Sequence, residues 1–218
     1  MDVFAASFMV GLTGAVAPGP LLALVLSETL KSGITASLLI VTGHSLLELL
    51  AVLGLTMGLA TILANALISA LIGAVGGAVM LYFAYLMITD AARGVNAPGT
   101  SSGPQSARVR LNAGKWLGYL GLGALISLSN PYWTVWWATI GAGFMTTVAA
   151  GGGAAIHAFY FGHILADYVW YVLVAVLVLT GSRMLGNRTY RFLLAGCGVC
   201  LVLFGAYFLF NSFSQILS

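Results

Sequence analysis

Apolar residues fill six stretches of the chain, and polar residues are largely confined to the links between them. Each stretch reaches the roughly 20 residues that a helix needs to cross a bilayer. The pattern predicts spans over about 3–26, 34–61, 66–89, 115–147, 154–181 and 189–212. Two of them are interrupted. Ala17-Pro18-Gly19-Pro20 breaks the first, because each proline removes a backbone donor and crowds the preceding turn, and glycine weakens the helix further. Asn130-Pro131 breaks the fourth, which is also too long for one straight crossing. The flanks Val3 to Val16 and Leu21 to Ser27 carry no charge, so the first break is expected at membrane depth. Broken backbone is tolerated there only where protein buries it or where it lines a polar cavity. The one substantial hydrophilic segment is Val95 to Gly114, and its core from Asn96 to Ser106 has linker composition. The chain therefore divides into residues 1–94, a cytoplasmic linker over 95–114, and residues 115–218.

Composition leads to the same class. Of the 218 residues, 61% are hydrophobic and 6% are charged, and the mean hydropathy is +1.04. A soluble domain carries about 25% charged residues, so this chain reads as a polytopic membrane protein. The pI near 9.0 reports orientation and not nucleic-acid binding. Lys31 lies in the first link. Arg93, Arg108, Arg110 and Lys115 lie in or beside the third, and Arg183, Arg188 and Arg191 lie in the fifth. The second and fourth links carry no basic residue. The positive-inside rule then predicts cytoplasmic odd-numbered links and both termini outside. Met1-Asp2-Val3 lacks the basic start of a cleaved leader, so the first apolar stretch is expected to stay as a span.

The chain also repeats itself. Gly43-His44-Ser45-Leu46-Leu47-Glu48 in the second span matches Gly162-His163-Ile164-Leu165-Ala166-Asp167 in the fifth, as Gly-His-x-Leu-x-acidic. Gly76 through Ala84-Tyr85 matches Gly198 through Ala206-Tyr207 at the same internal spacing, and the broken first span corresponds to the broken fourth. A unit with an odd number of crossings must invert when repeated. The expected fold is all-α, with six transmembrane helices in two inverted three-helix repeats whose first and fourth helices are broken. Secondary transporters built this way bind substrate near the midplane, where discontinuous helices meet.

Ala17-Pro18-Gly19-Pro20 in a first span, with Ser129-Asn130-Pro131 opening the second half, resembles the lysine exporter and homoserine/threonine efflux family. The similarity extends over essentially the whole chain. It implies an exporter of amino acids or related metabolites, in a prokaryotic inner membrane and driven by the proton-motive force. Members often follow Asn-Pro with lysine; here Tyr132 stands in that place and is followed by Trp133, Trp136 and Trp137.

The residues themselves suggest the chemistry. His44 and Glu48 are one helical turn apart and share a face, as do His163 and Asp167. A charge buried in a span costs about 2.5–3.5 kcal/mol on insertion scales and normally faces the bundle interior. Histidine changes charge near neutral pH. The two pairs are therefore candidates for proton coupling or ammonium binding in a central cavity. Pro18, Gly19, Pro20, Asn130 and Pro131 would offer exposed helix ends to a substrate, and a half-helix N-terminus favours a carboxylate. Read differently, each histidine bonds its own acid and only tightens packing.

Two histidines and two carboxylates are also a ligand set for zinc, manganese or cadmium, so a divalent-metal exporter is the alternative. Cys197-Gly198-Val199-Cys200 would suit a thiol redox conduit, although small residues in a span more often serve close packing. Gly54-x-x-x-Gly58 and Gly73-x-x-x-Gly77 have the spacing for helix contact, in the bundle or in a homodimer. The expected partners are a small-molecule substrate and the bilayer, with no nucleic acid and no cofactor. No Walker loop supplies ATP, and no nucleophile–base constellation argues for an enzyme.

Overall fold

The computed structural model describes residues 2–17, 19–63, 65–94, 113–181 and 187–217. Pro18, most of the predicted linker (95–112), and Arg108, Arg110 and Arg183 lie outside the described residues. The described elements are helical. They are α1 (Val3–Ala15), α2 (Pro20–Ser32), α3 (Ile34–Thr56), α4 (Leu59–Leu63), α5 (Ala66–Ala92), α6 (Ala113–Leu128), α7 (Pro131–Trp136), α8 (Ala142–Ala149), α9 (Gly152–Gly181) and α10 (Asn187–Leu217). A π-helical turn over Trp137–Gly141 joins α7 to α8.

Four helices, α3, α5, α9 and α10, are long and apolar enough to cross a membrane. The count becomes five if α1 and α2, bent by 81° at their junction, form one span. The chain is thus a multi-pass helical membrane protein. The stretch predicted as a fourth span is broken at Asn130-Pro131 into α6, which has 16 residues, and a run that stays helical from Pro131 to Ala149 through the π-turn. Both breaks follow proline chemistry. Pro20 and Pro131 each open a helix at its first turn, where the missing N–H costs nothing. The first link is shorter than its polarity suggests: α2 continues to Ser32, and Gly33 alone reverses the chain at φ +81°. That conformation is open to glycine and disfavoured for side-chain-bearing residues.

Packing interlocks the two halves of the sequence. α1 lies along α9, α6 lies along α3, and α3 and α9 also meet each other. Apolar side chains gain little by leaving lipid for protein, so helices here associate through close backbone approach at small residues. A Cβ on Gly43 would run into the Leu120 carbonyl of α6, and one on Gly162 into the Phe4 carbonyl of α1. The glycine of each repeated motif therefore admits a neighbouring backbone immediately before the histidine. Ser7 of α1 donates to the Phe159 carbonyl of α9 at 2.6 Å. Thr42 and Tyr168 join α3 to α9 through their hydroxyls, 2.7 Å apart.

α5 and α10 form a second body, packed chiefly on each other. Gly73 faces Ser212, and Gly77 faces the Gly205 carbonyl, so this glycine pair serves contact within the chain. Gly54, by contrast, faces only Leu59 of the following turn, and Gly58 sits at φ +97° between α3 and α4. Met80, Ala84 and Leu201, with Ala23 of α2, make the buried core that attaches the pair to the rest.

Candidate functional site

The two repeated motifs converge. α3 brings His44 and Glu48, and α9 brings His163 and Asp167, to one buried point where none of the four is more than 5% exposed. Glu48 Oε1 lies 3.2 Å from His44 Nε2 and 3.1 Å from His163 Nε2. Asp167 is looser, with Oδ1 4.0 Å from His44 Nε2 and Oδ2 3.9 Å from His163 Nε2. One glutamate oxygen is thus shared by both imidazoles, and the aspartate stands behind it. Each histidine reaches across to the other motif's acid as well as to its own.

Hydrogen-bond logic fixes part of the proton inventory. Ser127 Oγ donates to the Gly123 carbonyl at 2.8 Å. Its oxygen must therefore accept from His44 Nδ1, which lies 2.7 Å away. With Nδ1 carrying a proton, the short contact between His44 Nε2 and Glu48 Oε1 needs a cation of its own. A neutral imidazole nitrogen and a bare carboxylate oxygen are both acceptors and would repel. A proton or a metal ion satisfies that contact equally well in geometry.

His163 is held otherwise. Its Nδ1 has no hydrogen-bond partner among the described residues and points at α1, where a Cβ on Gly11 would lie 2.9 Å away. Its ring is packed by aromatic groups: Trp136 and Trp137 lie at centroid distances of 4.7 and 5.1 Å, and Phe159 stacks at 6.1 Å. These contacts fix the plane of the imidazole ring. The tryptophan stripe after the second break is therefore part of this site's wall.

The breaks stand beside the cluster. Gly19 and Asn130 touch, with a Gly19 Cβ position only 3.3 Å from Asn130 Nδ2. Asn130 caps α7 by accepting from the Tyr132 N–H at 3.1 Å, whereas α2 has no side-chain cap at Gly19. Pro20 and Pro131 are both buried. A cavity of about 40 Å³ is bordered by Asn130, Tyr132, the three tryptophans and the four ionisable groups. Glu48 Oε2, Asp167 Oδ2 and the indole nitrogens of Trp133, Trp136 and Trp137 are buried without hydrogen-bond partners among the described residues. At roughly 10–15 Å³ per water, this space suits about three waters or one ion. Small-molecule pockets run to about 300–1,000 Å³. Of the predicted site residues, His44, Glu48, Asn130, His163 and Asp167 border this ion-sized space, Gly19, Pro20 and Pro131 do not line it, and Pro18 is not described.

Two residues of this site escape a reading of the chain alone. Ser127 belongs to a polar run, Ser127-Leu128-Ser129-Asn130, that marks it only as a neighbour of the break. Gly11 carries no local signal: its importance lies in which helix crosses it. His44, Glu48 and Asp167 also satisfy the spacing of metal ligands, with one donor atom from each lying within 4.8 Å of the others. Cys197 and Cys200 lie on α10, are not disulfide-bonded and contribute nothing to the cavity; Cys197 packs in the core beneath the α5–α10 pair.

Comparison with known proteins agrees with this picture. No curated protein and no solved structure matches the chain. The family described as LysE type translocator matches residues 12–212, which takes in both breaks, both Gly-His-x-Leu-x-acidic motifs and the α5–α10 pair. A multi-pass helical protein with a buried ionisable centre, matched over almost its whole length, belongs to the LysE type translocator family and is a membrane exporter of small molecules.

Proposed function

We propose that this chain exports amino acids or related small metabolites across a prokaryotic inner membrane, driven by protons that pass through the His44, Glu48, His163 and Asp167 cluster. The carrying observation is the sharing of Glu48 Oε1 by two imidazoles at 3.1 and 3.2 Å beside an ion-sized cavity. Such a constellation takes up and releases protons at the crossing point of the helices. Burial of ionisable groups at this depth is costly and is retained where a pathway needs it.

The reading includes the inverted repeat. α6 packs on α3 as α1 packs on α9, which is the exchange expected when the broken helix of one repeat pairs with the motif helix of the other. On this plan α1 with α2, and α6 with α7 and α8, are the broken first and fourth spans of six. The basic residues mark the cytoplasmic side, with both termini outside. The exposed outer faces of α5 and α10 are compatible with a homodimer. Alternating access would come from movement about the contacting breaks at Gly19 and Asn130. The predicted Pro18, Gly19, Pro20, Asn130 and Pro131 then act as hinge and lining, and the four ionisable groups act in coupling.

A second reading rests on a separate observation. Ser127 holds His44 by Nδ1 and turns Nε2 toward Glu48, the outer-sphere arrangement that usually orients a metal-binding histidine. Divalent metal would then be cargo. One experiment separates the two. Proteoliposomes with an imposed pH gradient are loaded with amino acids or with zinc, manganese or cadmium. Proton coupling predicts amino-acid efflux that dissipates the gradient and is lost in Glu48→Gln and Asp167→Asn. Full transport by both variants would defeat it. Efflux of metal, with stoichiometric metal on the purified protein, would establish the alternative.

A further inference from the structure

A second cavity lies against the other side of the α7 break. It measures about 450 Å³ and is bounded by α5, α7 and α10, with the two bodies of the fold meeting along it. Its size falls within the range of small-molecule sites, and it is some ten times larger than the space at the cluster. Asn130 lines the inner cavity, Pro131 lines the outer one, and Tyr132 lines both. The outer cavity is built from the first half of α5 and the last half of α10. It therefore sits at the opposite end of that helix pair from Arg93 and Arg188.

The lining is specific in kind. Ser69, Thr134, Asn211 and Ser212 supply neutral polar groups, and Ile72, Val135, Phe204 and Phe208 supply apolar wall. Among the described residues, no Asp, Glu, Lys, Arg or His borders it. Thr134, which carries a hydroxyl, is 8% exposed. Its neighbours Thr139 and Thr146 each return theirs to a backbone carbonyl. Asn211 donates to the Tyr207 carbonyl at 3.0 Å, which leaves its side-chain oxygen as an acceptor. A buried charge without a partner is expensive, and Glu48 and Asp167 border only the inner cavity. Among the described residues, a solute with a net charge would meet no counter-charge in the outer cavity, whereas a zwitterion carries its own.

We propose that this outer cavity is the substrate site, that it takes small amphipathic solutes of the class of amino acids with an apolar or aromatic side chain, and that Tyr132 is the partition between it and the ion-sized cluster. The proposal rests on the exporter reading and assigns its two tasks to two spaces. Tyr132 contacts Phe204 of α10 at a centroid distance of 6.3 Å, so movement of the α5–α10 pair carries the partition with it. Substrate and coupling ion would then communicate through one side chain, at the residue where the helix is broken.

The test uses the full chain in nanodiscs, with radiolabelled phenylalanine as probe and leucine, lysine and glutamate as competitors. Leucine competes, and lysine and glutamate do not. Ala138→Phe fills the cavity and raises the phenylalanine Kd by about tenfold or more, and the near-isosteric Thr134→Val raises it by about threefold. Glu48→Gln abolishes proton-linked efflux in proteoliposomes. Equal competition by lysine, absence of phenylalanine binding, or unchanged binding in both cavity variants overturns the proposal. The variant Thr134→Val keeps the test decisive should Ala138→Phe not fold. The two levels fail separately. Binding with this pattern but no proton-linked efflux sinks only the coupling assignment, and proton-linked efflux indifferent to the cavity variants sinks only the cavity.

Discussion

His44 and His163 occupy the same position in the same repeated motif and reach the same oxygen of Glu48, yet their outer nitrogens meet different neighbours. On α6, Ser127 lies seven residues after Leu120, whose carbonyl abuts Gly43. On α1, Gly11 lies seven residues after Phe4, whose carbonyl abuts Gly162. The packing is equivalent, and the side chain is not: a hydroxyl orients His44, and a bare glycine faces His163. His44 is therefore a fixed member of the cluster. His163 is held by aromatic faces and one carboxylate oxygen, and its Nδ1 is uncommitted among the described groups. Two like helix crossings have produced one imidazole bonded at both nitrogens and one bonded, among the described residues, at Nε2 alone.

The comparison can be broken most severely at the oxygen both rings share. Glu48→Gln should lower proton-linked export at least about 100-fold, equivalent to ~2.7 kcal/mol, measured in proteoliposomes with membrane insertion checked separately. Asp167→Asn should cost less, since its closest imidazole contact is 3.9 Å. A larger loss in Asp167→Asn would reverse the assignment of Glu48 as the hub.

The equivalence of the two packings is tested by adding one methyl to each. Gly43→Ala and Gly162→Ala should each destabilise the protein by about 1–3 kcal/mol through overpacking against a backbone carbonyl, read as reduced thermal stability in detergent. A neutral result at either position would show that the two helix crossings are unlike.

Their difference is tested at the outer nitrogens. Ser127→Ala leaves His44 Nδ1 without its acceptor, at a cost of about 1–3 kcal/mol, and lowers export about tenfold with partial recovery in Ser127→Thr. Gly11→Ala presses on His163 Nδ1 and should impair export with an altered dependence on external pH, whereas Ser127→Ala shifts rate without altering that profile. Identical pH profiles in both would remove the distinction between the two imidazoles.

The smallest effect is expected far from the cluster. Cys197→Ser and Cys200→Ser should cost about 1 kcal/mol of stability or less and leave export intact. Loss of export in either would revive a thiol role for α10.

Much of this was legible in the chain for identifiable reasons. Pro20 and Pro131 act through their own backbone geometry, so the breaks appear where the prolines stand. The His-x-x-x-acid spacings act within one helical turn, and both pairs do share a face. The dual partnership of Glu48 was not legible, because it joins residues 115 positions apart and depends on how α3 crosses α9. The lengths of the broken segments were not legible either. The fourth span reads from the chain as an apolar run broken at Asn130-Pro131, but only the structure shows that α6 ends after 16 residues and that the helix after the break continues to Ala149 through the π-turn.

Hydropathy, proline and periodicity are properties of neighbouring residues, and they sufficed by themselves for the membrane class, the helix breaks, the repeated motif and the family resemblance. Tertiary structure alone decided which backbone passes each motif glycine, and so placed Ser127 beside His44 and Gly11 beside His163. It also decided that the polar centre is an ion-sized space and that the large cavity lies beyond Tyr132. These are consequences of where helices cross, and a crossing is fixed by contacts between segments that the linear order keeps far apart.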